Sequence, residues 1–131
     1  MGRTAIKDSE LFFEDNFKRA VSPMLTLLIL SEKPVYVYKL SQELERRSNS
    51  SYKIGFLYPV LYRLQQQGYV EEYSQEQSES HRTRNYYAIT DSGRKHLESL
   101  KKKYAELLLT VDAVLDSSSE VQAVMPTEEG F

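Results

Sequence analysis

The sequence contains no cysteine and no tryptophan. Without cysteine, disulfide bonds and thiolate metal sites are excluded, and nothing indicates an oxidising compartment. No apolar run approaches the roughly 20 residues that cross a bilayer, and the amino terminus lacks the apolar core of a signal peptide. These absences predict a soluble cytoplasmic protein without a membrane partner.

Residues that usually carry catalysis are also scarce. His81 and His96 are the only two histidines, and no glycine-rich phosphate loop or metal-ligand spacing occurs. Glu71 and Glu72 are neighbours, so on a strand they point to opposite faces and cannot act together on one substrate. The sequence therefore predicts that the protein is not an enzyme and needs no metal or cofactor.

The most informative stretch is residues 55–70. Its aliphatic side chains recur at the spacing of one helix face: Leu57, Val60, Leu61 and Leu64. The opposite face carries hydrogen-bonding groups and a single charge: Tyr58, Tyr62, Arg63, Gln65 and Gln66. Pro59 fits the first turn, and Gly68 fits the left-handed end of a helix. A helix that packs on one side and offers polar groups on the other suits a groove, so we predict a DNA recognition helix.

Apolar periodicity predicts further helices ahead of this one. Residues 10–21 have the spacing of an amphipathic helix, and Ser22-Pro23 has the form of a cap that opens a buried segment over residues 24–31. The sequence leaves open whether Pro23 breaks the helix or only kinks it. Residues 35–47 predict the next helix.

Two strand patterns follow the recognition helix. Residues 69–73 and 84–90 are typical of strands, and residues 74–83 between them are entirely polar. We therefore predict a β-hairpin with a long tip, the wing. The predicted fold is mainly α with a small β-hairpin wing (α+β), a winged helix-turn-helix domain over residues 10–90.

The last predicted helix begins at a Thr90 cap and covers residues 91–116. Apolar side chains along it alternate in steps of three and four, as in the a/d seam of a heptad repeat: Leu97, Leu100, Tyr104, Leu107, Val111 and Val114, widened by Leu108 and Leu115. So long a stripe predicts a C-terminal dimerisation helix, although packing against the chain's own amino-terminal helix is the alternative. Residues 117–131 are rich in serine and glutamate and predict a disordered acidic tail.

Charge is segregated along the chain. The formal net charge is only −2, but residues 33–69 carry +4 and residues 81–103 carry +5. Residues 70–80 carry −4, and the stretch from Asp112 onward carries −5. The basic segments coincide with the predicted recognition helix and wing. This distribution favours double-stranded DNA as the partner, with an ordinary solvated surface as the alternative explanation.

Three motifs, taken together, resemble one known family. They are Pro34–Leu40, the series Leu57-Tyr58-Pro59, Leu61, Arg63-Leu64 and Gly68, and finally Arg82–Gly93. In this order and at these intervals they are similar to the PadR-like transcriptional regulators, in the short form with a single C-terminal dimerisation helix. The resemblance covers roughly residues 22–115 and implies a winged helix-turn-helix protein that binds DNA. The chain departs from the family at Val37 and Phe56, where glycine and threonine are usual.

The candidate DNA contacts divide into base-reading and positioning groups. Arginine can bond guanine bidentately and glutamine can bond adenine, so the recognition helix offers three base readers: Tyr62, Arg63 and Gln66. The positioning candidates are Tyr38, Lys39, Lys53, Tyr58, Arg82, Arg84 and Asn85. For Tyr58, the matching tyrosine of the resembled family implies a phosphate contact. Half-buried core packing is the alternative for Tyr58 and Tyr62.

An aromatic cluster predicts a candidate effector pocket. Phe12, Phe13 and Phe17 could face Tyr104 near the predicted dimer seam, and an aromatic-lined space between helices is a common small-molecule site. The alternative is that these rings fill the core, and the lack of a tryptophan to stack on a flat ligand favours it. The family resemblance implies regulation by a small aromatic or cationic molecule or by another stress signal.

Together these features predict a sequence-specific DNA-binding transcriptional regulator. We expect a homodimeric repressor that binds an inverted-repeat operator and is relieved by a small-molecule effector. Two alternatives remain: a winged helix that binds a protein partner and never touches DNA, and a structural coiled-coil adaptor. Retention on heparin or random duplex at low salt, lost as the salt concentration rises, would separate DNA binding from both.

Overall fold

The computed structural model describes residues 2–52 and 57–124, and it describes side chains within residues 8–52 and 57–118. The chain forms two compact units, Met1–Leu97 and Glu98–Phe131. Within its described residues, the first unit holds three helices, a small sheet and the start of a fourth helix. The second unit holds the continuation of that fourth helix.

The first helix, α1, runs without interruption over Gly2–Glu32. It begins before its predicted start and continues through Pro23, so Pro23 does not break the helix. Proline removes one helical N–H without ending this helix. The residue before it is also held to the preceding turn. The Ser22 and Tyr52 hydroxyl oxygens each lie 2.5 Å from the Lys18 carbonyl oxygen. Ser22 therefore lies inside a helix and does not cap a new one.

A two-residue strand, β1 at Val35–Tyr36, precedes the second helix, α2 at Val37–Arg47. The predicted helix start at residue 35 is therefore wrong by two residues. Tyr36 has extended backbone angles, with φ at −93° and ψ at 165°. A β-branched residue and an aromatic residue fit a pleated strand better than a first helical turn, and pairing with a strand distant in sequence decides the outcome.

The helix predicted as the recognition helix is present as α3, Leu57–Gln66. Leu57, Leu61 and Leu64 are buried, as their spacing predicted. Gly68 has a φ of +80°, a left-handed conformation that glycine adopts without steric cost and that commonly ends a helix. One face of α3 is therefore fixed in the core, and the opposite face is presented outward.

The wing is a hairpin of β2, Val70–Glu76, and β3, Thr83–Ile89. With β1 it forms a three-stranded antiparallel sheet in the order β1-β3-β2. The strands extend further toward the tip than predicted, since Glu76 is paired with Thr83. The outer part of this hairpin is exposed to solvent. Its polar side chains therefore did not prevent the two strands from pairing.

The core of the first unit is aliphatic and lies between α1, α2, α3 and the sheet. Its buried apolar side chains are Leu27, Ile29, Leu30, Val35, Leu40, Leu44, Leu57, Leu61, Leu64, Val70, Tyr87 and Leu97. This core holds α3 and the wing in one fixed arrangement. Leu97 is 4% exposed within its own chain, so its predicted place in a dimer seam is corrected to a place in this core.

The fourth helix, α4, spans Asp91–Val124. Its predicted cap is confirmed, because the Gly93 N–H donates to Thr90 Oγ1 over 3.0 Å. Thr90 Oγ1 also lies 2.7 Å from the Gly68 carbonyl oxygen, to which it donates. This contact ties the start of α4 to the end of α3.

The helix α4 continues past its predicted end near residue 116. Residues 117–124 are helical, where the composition predicted disorder. The Ser117 hydroxyl donates to the Val114 carbonyl oxygen at 2.7 Å, so a polar side chain is accommodated within the helix. The first proline after residue 91 is Pro126, and helices usually end before such a residue. Residues 125–131 of the predicted tail lie outside the described residues.

Candidate nucleic-acid interface

The outer face of α3 is polar and aromatic. Tyr58 is 65% exposed and Tyr62 is 61% exposed, which excludes the core packing considered for both. With Pro59, Arg63 and Gln66 they line one shallow cleft. The structure therefore brings the three predicted base readers together on a single exposed surface.

A second cleft, of about 480 Å³, opens where the starts of α2 and α3 meet β3. We call it the wing cleft; it is lined by Tyr36, Val37, Tyr38, Tyr58, Arg84, Asn85 and Tyr87. It brings together several predicted positioning residues from three separate elements: Tyr38, Tyr58, Arg84 and Asn85. Because Tyr58 lines both clefts, the α3 face and the wing cleft form one continuous surface.

An aromatic ring holds Arg84 in the wing cleft. The guanidinium carbon lies 4.3 Å from the centre of the Tyr36 ring, within the range of a cation–π interaction. Tyr36 packs edge-on against Tyr86 with ring centres 5.6 Å apart, and Tyr86 stacks on Tyr73 at 5.7 Å. These three tyrosines are neighbours across the three strands, and Tyr36 is the ring of this row that contacts the arginine.

Sequence reasoning missed three lining residues of the wing cleft: Tyr36, Val37 and Tyr87. Tyr36 was assigned to a helix, although the alternation over Val35–Tyr38 is also a strand pattern and was the available signal. Tyr87 was assigned to a strand without a role. Burial, and then the charge of Glu72 and a hydrogen bond to that carboxylate, raises the pKa of Tyr87.

The two remaining wing candidates differ in position. Asn85 lines the wing cleft, and its side-chain oxygen accepts from Ser74 Oγ at 2.9 Å, which orients the amide group. Arg82 is exposed beside the hairpin tip, where its backbone carbonyl accepts from the Gln77 N–H at 2.7 Å. Arg82 can therefore meet a duplex only near the tip, whereas Asn85 belongs to the cleft.

The basic side chains of α2 are largely neutralised within the chain. Glu43 lies 2.8 Å from Arg46, 3.0 Å from Arg47 and 3.8 Å from Lys39. Arg47 also pairs with Glu32 at 2.6 Å. Hydrogen bonding from Arg46, and then from Arg47, lowers the pKa of Glu43 to about 2. The net charge counted for residues 33–69 already includes Glu43, and the pair with Glu32, outside that range, lowers it further. The predicted contact Lys39 shares the Glu43 carboxylate with two arginines.

Three arginines near the clefts keep an uncompensated charge. Within the described residues, Arg63, Arg82 and Arg84 form no ion pair. Guanidinium groups bind phosphate and guanine through charge-assisted or bidentate hydrogen bonds. The positive charge available to a duplex in this part of the chain therefore comes from α3 and the wing.

Two sequence predictions concern the segment just before α3. Lys53, a predicted phosphate contact, lies outside the described residues, as does Phe56. Val37, the other departure from the resembled family, is the first residue of α2 and lines the wing cleft. Its side chain therefore adds apolar surface to the cleft at a position where the family usually has none.

The candidate dimer residues do not share one environment. Leu97 is buried in the first unit and Leu100 is partly buried. The rest of the predicted seam is exposed in the single chain: Tyr104 (36%), Leu107 (54%), Leu108 (41%), Val111 (52%) and Val114 (67%). The second unit thus carries an apolar stripe open to solvent, and its pairing with a second chain stays a prediction.

The candidate effector-pocket residues are also exposed. Phe12 and Phe13 are each 73% exposed, and Phe17 is 47% exposed. These rings therefore do not fill the core of the first unit, which was the alternative explanation. Tyr104 belongs to the second unit, and the pocket stays a prediction.

Among the described residues, no cluster of three or more histidine, cysteine, aspartate or glutamate side chains could hold a metal ion. In the same two stretches of chain, every helix is too short or too polar to cross a membrane.

Comparisons with known proteins, by sequence and by structure, lead to the same family. Residues 26–99 match the profile of the transcriptional regulator PadR-like family. An uncharacterized protein of Lysinibacillus sphaericus is 34% identical over 94 residues, which cover 70% of this chain and 85% of that protein. A PadR-like transcriptional regulator of Bacillus cereus is 32% identical, with a TM-score of 0.61, and the match covers 74% of this chain and 93% of that one. A PadR family regulator of Eggerthella lenta is 27% identical, with a TM-score of 0.69 and coverage of 88% and 93%. The predicted winged-helix fold of the α+β class is confirmed.

Proposed function

This chain belongs to the PadR-like family of transcriptional regulators, and we propose that it binds an inverted-repeat operator as a homodimer and represses transcription from it. Family membership makes it a DNA-binding transcriptional regulator and not an enzyme. The proposal places the protein in the cytoplasm, together with the DNA that it would bind.

The observation that carries this proposal is the continuous surface formed by the α3 face and the wing cleft. Tyr58 joins the two parts. The unpaired charge of Arg63 lies on the α3 face, and that of Arg84 lies in the wing cleft. A DNA-binding surface needs one region that enters a groove and another that meets the flanking phosphates. The arrangement supports both requirements with side chains from separate elements.

The α3 face supplies the groups that would enter the major groove. Arg63 can donate two hydrogen bonds to guanine, and Gln66 can pair with adenine through its amide. Tyr62 offers a hydroxyl and an apolar ring on the same exposed face. Because the opposite face of α3 is anchored in the core, these groups would be presented to the bases in a fixed orientation.

The wing cleft supplies the groups that would fix the protein on the backbone. The Tyr58 hydroxyl and the Arg84 guanidinium line the same cleft and can donate to one phosphate or to adjacent phosphates. Tyr38 and Asn85 line it as well. Arg82 at the tip, Lys39 and Lys53 are supplementary contacts in this proposal.

Dimerisation would depend on the apolar stripe of the second unit. This stripe includes the exposed side chains of Leu107, Val111 and Val114. Pairing two such helices removes that surface from water. Two recognition helices related by a dyad would then enter successive major grooves, with half-sites roughly 34 Å apart. A homodimer therefore accounts for the stripe and predicts operator symmetry.

The proposal includes regulation by a small aromatic or cationic effector. The exposed rings Phe12, Phe13 and Phe17, with Tyr104, are the candidate pocket residues, because aromatic surface that is open in one chain can become enclosed in a dimer. Titration with planar aromatic compounds should quench tyrosine emission or shift the melting temperature. If neither signal changes, this pocket must be abandoned.

The decisive experiment is selection of bound duplexes from a random library with the full chain. An enriched inverted repeat with half-sites about 10 base pairs apart would support DNA reading and dimer symmetry together. The logarithm of affinity should fall linearly with the logarithm of salt concentration. No enriched sequence, with binding insensitive to salt, would favour the protein-partner alternative.

A further inference from the structure

We propose that Tyr36 is a positioning residue for DNA binding, whose ring holds the Arg84 guanidinium where a backbone phosphate enters the wing cleft. This inference rests on the proposed function, because it describes how one phosphate contact of that function is made. It concerns a residue that the sequence did not single out.

Three elements fix the position of the Tyr36 side chain. Tyr36 is the last residue of β1, and its backbone forms the N-cap of α2. In the sheet it lies directly opposite Tyr86, and their rings pack edge-on at 5.6 Å. Arg84 stands two residues before Tyr86 and so emerges on the same face of β3. The ring is therefore placed by strand pairing beneath the arginine.

A ring holds an arginine differently from a carboxylate. Arg47 is held by Glu32 and Glu43, and those acids cancel its charge. Arg84 lies 4.3 Å from the Tyr36 ring centre, and within the described part of the chain it forms no ion pair. The ring restricts the guanidinium by a cation–π interaction but leaves its full positive charge for a phosphate.

The geometry of the wing cleft indicates where that phosphate would lie. Tyr36, Tyr58 and Arg84 line the same cleft, so a phosphodiester entering it could accept from the guanidinium and from the Tyr58 hydroxyl. An arginine that is already ordered loses less conformational freedom on binding, which favours affinity. Tyr36 thus contributes without touching the DNA itself.

The test compares two substitutions of Tyr36 in the full-length protein, with binding measured on a selected operator and on random duplex. Tyr36→Leu removes the ring and should weaken binding to both duplexes by about two- to fivefold, the factor expected for an exposed cation–π interaction. Tyr36→Phe keeps the ring and should bind as the wild type does. The matched control is Tyr73→Leu, which removes another ring of the same row that stacks on Tyr86. It should leave affinity unchanged.

A double-mutant cycle separates positioning from a general structural effect. In an Arg84→Ala background, Tyr36→Leu should produce no further loss, because the ring acts only through the arginine. Losses that multiply would show that Tyr36 acts independently and would overturn this inference while leaving the phosphate contact in place. If Arg84→Ala bound like the wild type, the inference and the proposed phosphate contact would both be overturned.

A measurement on the free protein keeps the inference testable without DNA. The ring current of Tyr36 should shift the NMR signals of the Arg84 side chain, and the shift should persist in Tyr36→Phe and vanish in Tyr36→Leu. Unchanged Arg84 signals in Tyr36→Leu would overturn the contact. If Tyr36→Leu fails to fold, Arg84→Lys serves instead, because lysine keeps the charge but lacks the planar group that stacks on the ring. It should bind about two- to fivefold more weakly, and wild-type affinity would overturn the inference.

Discussion

Gly93 lies so close to the carbonyl group of Tyr69 that a β-carbon at position 93 would overlap the carbonyl oxygen. At the same place, the Thr90 and Ser92 hydroxyl groups donate to the Gly68 carbonyl oxygen at 2.7 and 3.0 Å. The start of α4 is therefore locked to the turn that joins α3 to the wing. The recognition surface depends on this junction for its shape.

Gly93→Ala should lower the free energy of unfolding by about 1–3 kcal/mol, the range for overpacking. Alanine is the better helix former by roughly 1 kcal/mol, but a backbone carbonyl cannot move aside as a flexible side chain can, so the overlap dominates. Urea unfolding followed by circular dichroism measures the change. The control is Gly68→Asn, where φ is +80° and nothing lies within 4 Å, and asparagine tolerates this conformation. Gly68→Asn should lower the free energy of unfolding by less than Gly93→Ala does. A Gly93→Ala variant as stable as the wild type would contradict the close packing at Gly93.

Arg63 and Arg84 should differ in how their loss affects DNA binding. Arg63→Ala is expected to cost about 1–3 kcal/mol on the selected operator and little on random duplex, because it removes a base contact. Arg84→Ala should weaken all duplexes about equally and reduce the slope of log affinity against log salt by about one unit. Fluorescence anisotropy at several salt concentrations measures both quantities.

The matched control for this pair is Arg46→Ala. It removes the same charge from α2, but Glu43 already pairs with Arg46 at 2.8 Å, so both affinities should stay near the wild-type values. Equal losses for all three variants would show that only net charge matters. That result would contradict the division of contacts between α3 and the wing.

Leu107→Asp should dissociate the proposed dimer. Leu107 lies on the heptad stripe of α4, and a charge buried without a partner costs several kcal/mol, roughly the scale of a modest interface. Sedimentation velocity measures the oligomeric state. The control is Leu109→Asp, because Leu109 is 72% exposed and lies about 200° around the helix from Leu107. A monomeric wild type, or a Leu107→Asp variant that sediments as the wild type does, would contradict this prediction.

The ion pairs of Glu43 within α2, and the pair of Arg47 with Glu32 of α1, should make stability depend on pH in the acid range. Arg46 and then Arg47 hold the pKa of Glu43 at about 2, below its ordinary value of 4.5, and hydrogen bonding from Arg47 also lowers the pKa of Glu32. A carboxyl group with a lowered pKa stabilises the fold above its ordinary pKa and loses that contribution as the pH falls. Between pH 4.5 and about 2, the melting temperature of the wild type should therefore fall more steeply than that of Glu43→Gln. Glu79→Gln, at an exposed position near the wing tip, should keep the wild-type slope, and parallel curves for Glu43→Gln and the wild type would refute the prediction.

The family could be recognised from sequence because its motifs are local. The resemblance over roughly residues 22–115 contains the matched segment 26–99. The buried face of α3 follows from leucines three and four residues apart, and the end of that helix follows from Gly68, whose φ is +80°. The cap of α4 likewise follows from Thr90, whose hydroxyl accepts from the N–H of Gly93, three residues later. Each of these features depends on interactions within about one helical turn.

The tertiary structure alone decided which of the predicted side chains share a surface. By itself the sequence determined the helix periods, the wing and the heptad stripe, because those patterns repeat over a few residues. It could not show that Val35–Tyr36 pairs with β3, since the partners Tyr86 and Tyr87 are about fifty residues away. That pairing placed Tyr36 under Arg84 and created the wing cleft. Nor could a count of charges show that Arg46 and Arg47 pair with carboxylates while Arg84 packs on a ring. The sequence states the sign of each charge, but folding decides which group lies beside it.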